Sequence, residues 1–344
     1  MKRNDRKLRA RPPRGQKKGG WKTKLNQLAM EFGYLCYGNH SKRRAAHSTM
    51  KKRCQVLFLV FGQLHEGGFK IENPRNLRPQ HVHYLMRRWE AEGLSASVLA
   101  NRFSILKSFC DFLGKPGMLG DPENFVRDPN CLRRSTIAQR DKSWVGNNVN
   151  ADEIARLVEE QDSYTAIQIR MMQAFGLRLK EAVSIQPVLA DHDDCIMVDR
   201  GTKGGRPRLV PIDSDAKREA LDAAKQLMKR PTQNLCRPGK KVHQEIARHY
   251  YIVRKVGISA KQLGVTPHGL RHEYLNDTYE KIAGHPSPVR GGEVVDKDRD
   301  ELARAITMQH AGHGRTTIGA AYYGSSQAAR NTNHIDSKEN KNES

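Results

Sequence analysis

A chain of 344 residues with a formal net charge of +23 is long enough for two ordinary domains, each burying its own core. Self-repulsion of that size is best tolerated against a polyanion, which puts nucleic acid first and an anionic membrane surface second. No apolar run approaches the roughly 20 residues that cross a bilayer, and neither a lipidation motif nor a secretory signal is present, so the chain is expected in the cytoplasm, at the bacterial nucleoid.

From Met1 to Lys24 the composition is Lys, Arg, Gly and Pro, with Asp5 the only acid, and this segment is expected to be a flexible phosphate-binding arm. Residues 25–116 read as a small, basic, all-helical domain. A helix from about Ala46 to Leu64 ends at Gly67-Gly68. The next turns Val82, Leu85, Met86 and Trp89 inward and ends at Gly93. A third, from Ser97 to Leu113, repeats Leu99, Phe103, Leu106, Cys110 and Leu113 at alternating three and four spacing before Gly114-Lys115-Pro116 stops it.

Residues 117–149, rich in Pro, Gly, Asn and Arg, are expected as an interdomain linker. Asn150 followed by Glu153 is a capping box that opens a second domain over 150–324, mostly helical, with one strand pair: Cys195 to Asp199, a turn from Arg200 to Arg206, and Leu209 to Ile212. Residues 283–300, rich in Gly, Pro and Asp, are expected as a surface insertion, and 325–344 as a disordered tail. The six cysteines, Cys36, Cys54, Cys110, Cys131, Cys195 and Cys236, have no CxxC spacing and are expected to be buried, reduced thiols.

Across the second domain an ordered set carries phosphoryl chemistry. Attack on a phosphodiester builds negative charge on the nonbridging oxygens, which fixed cations must meet. Arg178 and Arg271 suit that task, because guanidinium stays charged and forks onto two oxygens. Glu181, one turn beyond Arg178, can orient it. Lys203, on the Lys203-Gly204-Gly205 turn, could protonate a leaving 5′ oxygen. Thr266-Pro267 starts a helix that places His268, Arg271 and His272 on one face. His268 is expected as proton acceptor and His313, between two glycines, as a donor to a nonbridging oxygen. Tyr322 is the candidate nucleophile; Tyr323 points about 100° away on a helix.

With these residues together the chain resembles the tyrosine recombinase family, the phage-type integrases. Its pattern of Arg, β-turn Lys, His-x-x-Arg, Gly-His and Tyr nine residues later falls on Arg178, Lys203, His268, Arg271, His313 and Tyr322. The resemblance implies a mainly α fold with a small β-hairpin, a helical core-binding domain followed by an α+β catalytic domain. It also implies site-specific recombination of double-stranded DNA through a 3′-phosphotyrosine, for integration or excision of a mobile element. No cofactor, no metal and no ATP are implied; a homo-tetramer on paired sites and accessory DNA-bending or directionality factors are.

Three features depart from the family. The interval from Arg271 to His313 is long and contains a decoy, Gly284-His285, rejected because His313 alone has the spacing to Tyr322. Ala311 stands where leucine is usual, and no apolar helix follows Tyr323. Other readings stay open: a metal hydrolase using His268, His272, His310 and His313; a noncatalytic DNA-binding protein of the same fold; and a type IB topoisomerase-like enzyme.

Overall fold

The computed structural model describes residues 20–35 and 45–325, and the chain divides into two units at Arg134/Ser135. The arm up to residue 19, Cys36 and the tail beyond 325 lie outside the described residues. The last residues assigned to the arm are helical instead. Trp21 opens α1 (Trp21–Gly33) and stacks on His65 at 4.6 Å between ring centroids, an apolar anchor that the surrounding lysines hid.

The first unit continues with α2 (His47–Glu66), α3 (Pro79–Ala91) and α4 (Ala96–Phe112). Each helix contributes one apolar stripe to a shared core: Leu25 and Phe32, Leu57 and Phe61, Leu85 and Trp89, Leu106 and Phe109. Trp89 is fully enclosed, so its indole N–H needs a partner, and it donates to Gln63 Oε1 at 2.7 Å.

The second unit begins with an irregular stretch and then α5 (Ala151–Glu159), α6 (Ser163–Phe175), α7 (Leu179–Ser184) and the single turn α8 (Pro187–Ala190). Asn150 caps α5, its side chain accepting from the Asp152 and Glu153 amides. The antiparallel pair β1 (Cys195–Val198) and β2 (Arg208–Pro211) follows, in register from Cys195↔Pro211 to Val198↔Arg208. Then come α9 (Asp215–Gln226), α10 (Val242–Lys255), α11 (Gly269–Ala283), α12 (Lys297–His310) and the four-residue α13 (Ala320–Tyr323). Helix α6 packs against α5, α9 and α11, which makes it the central strut of the core.

The division at Arg134/Ser135 falls inside the expected linker over 117–149, and the two parts of that segment pack onto different units. Its first part folds onto the first unit through Leu119, Phe125 and Val126. Its last part joins the second, where Trp144 is fully buried and donates its indole N–H to the Thr266 carbonyl at 2.7 Å. A few large apolar side chains outweigh a polar composition, because each enclosed ring removes on the order of 2 kcal/mol worth of apolar surface from water.

The surface insertion expected over 283–300 is likewise docked. Ser287 is buried with its hydroxyl on Asn276 Oδ1 at 2.5 Å, and its last residues open α12, capped by Asp296. The described cysteines are free. Cys110 and Cys236 are buried, burial first pushing their thiols up, to about 12 and about 11, while Cys54, Cys131 and Cys195 are only half-buried, against expectation.

Candidate active site

Two helix starts, one strand and the end of the fold build the site. Helix α6 stops at Gly176, whose left-handed backbone (φ +59°) only glycine adopts without strain. The turn leaves Arg178 extended, immediately before α7. Glu181, in the first turn of α7, folds back to accept the Arg178 backbone N–H at 2.8 Å and its Nη1 at 2.7 Å.

A second cation reaches the same carboxylate. Arg208 on β2 donates through Nη1 and Nη2 to the two Glu181 oxygens at 3.0 and 2.7 Å, and through Nε to the His310 carbonyl at 2.6 Å. The strand turns this arginine inward and leaves Leu209 50% exposed. Sequence reasoning missed Arg208. The signal lay in Val210 and Ile212, apolar at two and four residues on and therefore on Arg208's face of a strand. Burial alone would raise the Glu181 carboxyl; hydrogen bonds and charge from Arg208, the Arg178 amide and the charge of Arg271 outweigh it and bring it down to about 2.

His268 stands at the N-terminus of α11, with Arg271 and His272 in the first turn. Arg271 is fully buried. Its Nη1 donates to the Gly176 carbonyl at 2.6 Å and its Nη2 to the Ala311 carbonyl, which also accepts from Arg178 Nη2 at 3.3 Å. The departure at Ala311 is thus accommodated: the position supplies a backbone oxygen that any side chain would carry. Arg271 Nε has no partner among the described residues, an unusual state for a buried donor.

The chain returns to this point after α12. His313 Nε2 lies 3.3 Å from Arg178 Nη2 and 3.4 Å from the Tyr322 hydroxyl. The Tyr322 ring sits 4.7 Å from that of His272 and 6.3 Å from that of His268. Tyr323 turns the other way into the core, stacked on Tyr279 at 5.0 Å with the Arg304 guanidinium 5.7 Å from its ring.

All three histidines near Tyr322 are held in the neutral form at pH 7. Burial first, then Arg271 and Arg178, lower His268 to about 4; burial, then His268 and Lys142, lower His272 to about 3; burial, then Arg271, Arg178 and Lys203, lower His313 to about 4. A neutral imidazole can take a proton from a phenol. His313 Nε2 is within hydrogen-bonding reach of the Tyr322 oxygen, and the ring of His268, the expected acceptor, stands 6.3 Å from the Tyr322 ring.

Lys203 is exposed at the hairpin tip, without a hydrogen bond or ion pair among the described residues, and reaches the cluster through its charge on His313. His285 lies apart from the cluster, with Nδ1 2.9 Å from the Pro286 carbonyl oxygen. His310 turns its ring to the Tyr274 hydroxyl at 3.1 Å. Among the described residues no group of three or more His, Cys, Asp or Glu is arranged to hold a metal. No described helix is long and apolar enough to cross a membrane. The arrangement combines fixed cations, neutral imidazoles and one phenol, the parts of a phosphoryl-transfer site.

Two family models match the chain: "Phage integrase, N-terminal" over residues 27–118 and "Integrase" over residues 141–277. The second match ends before His313 and Tyr322. Among curated proteins, "Tyrosine recombinase XerC" of Proteus mirabilis is 30% identical over 149 residues, 42% of this chain and 45% of that protein. The protein of the same name from Chromobacterium violaceum is 26% identical, covering 50% and 54%, so the chain spans about half the length of these curated relatives. That of Vibrio atlanticus is 28% identical, covering 67% and 76%. Of solved structures, a lambda integrase tetramer bound to a Holliday junction aligns with a TM-score of 0.57 at 14% identity, over 90% of this chain and 78% of that one. The Tn1549 transposon integrase in complex with circular intermediate DNA aligns at 0.50 and 13%, over 90% and 99%. Both likenesses establish the mainly helical fold with its small sheet.

Proposed function

Because the chain belongs to the tyrosine recombinase family of phage-type integrases, we propose that it is a site-specific DNA recombinase that cuts and rejoins strands through a 3′-phosphotyrosine. The observation that carries this reading is one convergence. Arg178, His313 and the Tyr322 hydroxyl are linked by contacts at 3.3 and 3.4 Å, beside a buried Arg271 whose Nε–H has no partner among the described residues.

In this reading a phosphodiester enters with its nonbridging oxygens toward Arg178 and Arg271. The Tyr322 oxygen bonds to phosphorus, its proton passes to His313, and the bond from phosphorus to the 5′ oxygen breaks. The ammonium of Lys203 supplies a proton to that oxygen. A 5′ hydroxyl from a second strand reverses the step, and the phosphotyrosine retains enough of the diester's free energy for resealing without ATP. Glu181 and His272 support the cage, Glu181 by holding the arginines and His272 by packing on the nucleophile.

The partner proposed is double-stranded DNA carrying paired sites, bound by a homo-tetramer, with accessory DNA-bending or directionality factors, in the cytoplasm. Integration or excision of a mobile element is the proposed biological setting. A nicked duplex drawn from the DNA flanking the gene tests the chemistry. Wild type and Tyr323→Phe are expected to form a covalent adduct on a denaturing gel, and Tyr322→Phe none. An adduct that survives Tyr322→Phe and vanishes with Tyr323→Phe would overturn the assignment of nucleophile.

A further inference from the structure

Tyr322 rides on α13, a helix of four residues. One turn is too short to hold itself, since helix nucleation is unfavourable and only packing sustains so short a piece. Its placement must come from what it touches. The Ala138 N–H donates to the Ala320 carbonyl at 2.8 Å. Asn276, fully buried on α11, donates through Nδ2 to the Tyr322 carbonyl at 3.4 Å and to the His272 carbonyl at 2.8 Å. Gly324, with φ +79°, closes the end of α13 so tightly that a Cβ there would lie 3.2 Å from the Val289 nitrogen and 3.4 Å from the Ala138 oxygen.

The two segments that embrace α13 are themselves joined. Ser287 donates to Asn276 Oδ1 at 2.5 Å, from a buried hydroxyl. Arg290 spans from Asp141 at 3.1 Å to Asp277 at 2.6 Å, with Glu280 at 3.7 Å. Residues 138–141 and 287–290, which composition alone presents as linker and insertion, therefore meet on either side of the nucleophile.

We propose that these segments form a clamp, within the same chain, that aims Tyr322 at the phosphate, with Asn276 and Arg290 as positioning residues. The inference rests on the recombinase reading above. Attack in line on phosphorus tolerates little error, and a misplacement of about 1 Å costs roughly 100-fold in rate. A clamp that fixes the Tyr322 carbonyl fixes the pitch of α13 and so the reach of its side chain. It touches neither Arg178 nor His313, so loosening it should impair the nucleophile while leaving the phosphate cage intact.

That separation makes the test. Full-length Arg290→Met and Asn276→Ala are compared with wild type in the single-turnover rate of adduct formation at saturating DNA, and in DNA affinity. Each is also placed in a Tyr322→Phe background, where hydrogen peroxide serves as a small external nucleophile for the same phosphate. The clamp predicts an adduct rate reduced about 10- to 100-fold, unchanged affinity, unchanged peroxide-driven cleavage, and partial rescue by Arg290→Lys. If Asn276→Ala does not fold, the half-buried Arg290 pair of variants decides. An undiminished adduct rate, or a parallel loss of peroxide cleavage, overturns the clamp while leaving the recombinase reading in place. A wild type that binds DNA without ever forming an adduct overturns both.

Discussion

Glu181→Gln is expected to cost the second unit about 3 kcal/mol at neutral pH, from two routes that use different observations. The carboxylate has no exposed surface and accepts from the Arg178 amide, Arg178 Nη1 and both Nη atoms of Arg208, with Arg271 Nη1 at 3.9 Å. Removing its charge leaves Arg208 and Arg271 buried without a counterion, and uncompensated buried cations of that kind cost about 3–5 kcal/mol. Independently, its pKa falls from 4.5 to about 2 on folding, which at roughly 1.4 kcal/mol per unit is about 3 kcal/mol. The sign follows from linkage: a depressed carboxylate stabilises fully above about 4.5, and that share is lost as pH falls through about 2. Urea unfolding followed by pulsed hydrogen exchange, read on peptides from α6, α7 and α11, scores this unit separately from the first. Wild type should lose this increment on acidification and Glu181→Gln should lack it. A neutral-pH difference under about 1 kcal/mol, or equal acid slopes, would refute the reasoning that one carboxylate holds three arginines.

Imidazole NMR titration of the free protein should find His268, His272 and His313 still neutral at about pH 5.5, with midpoints of about 4, about 3 and about 4. Because these folded values lie below the unfolded one, stability is complete above about 6.5 and declines as pH drops toward 4; a midpoint near 6.5 for all three would sink the burial argument. Gly176→Ala adds left-handed strain to a clash of the new Cβ with the Tyr274 ring, and a loss of about 2–4 kcal/mol in urea unfolding is expected, with a loss below about 1 contradicting it. DNA affinity should fall steeply with salt, with a log–log slope at least as negative as about −5, corresponding to some six phosphate contacts; a flat response would contradict the reading of the +23 net charge.

The fold class was legible because helical stripes are local: Leu85 and Trp89, or Leu99 and Leu106, declare their face from spacing alone, and the core of the first unit is built from them. The convergence of Arg178, His268, Arg271, His313 and Tyr322 in a candidate site was legible for a different reason. Holding a phosphate and attacking it restricts residue type so strongly that an ordered set of Arg, His and Tyr stands out even when its members are far apart in the chain. What stayed hidden depends on partners that spacing does not reveal. Arg208 points inward because Glu181, 27 residues upstream, waits there; its alternation with Val210 and Ile212 gives the face it lies on, but spacing does not give the partner. Trp144 lies in a polar stretch and finds its carbonyl 122 residues away. Arg290 matters only because Asp141 lies across from it.

The tyrosine pair brings the two kinds of information together. Spacing from His313 selects Tyr322, and the physical reason lies in the other residue. Tyr323 fills the core between Tyr279 and Arg304, where burial first raises its hydroxyl well above the ordinary tyrosine value and makes it a poorer nucleophile. One turn of helix carries both side chains, so anchoring Tyr323 in the core is what turns Tyr322 toward the cage. A substitution that shrinks residue 323, such as Tyr323→Ala, should therefore disturb catalysis through its neighbour, whereas Tyr323→Phe, which keeps the ring and its stacking, should not.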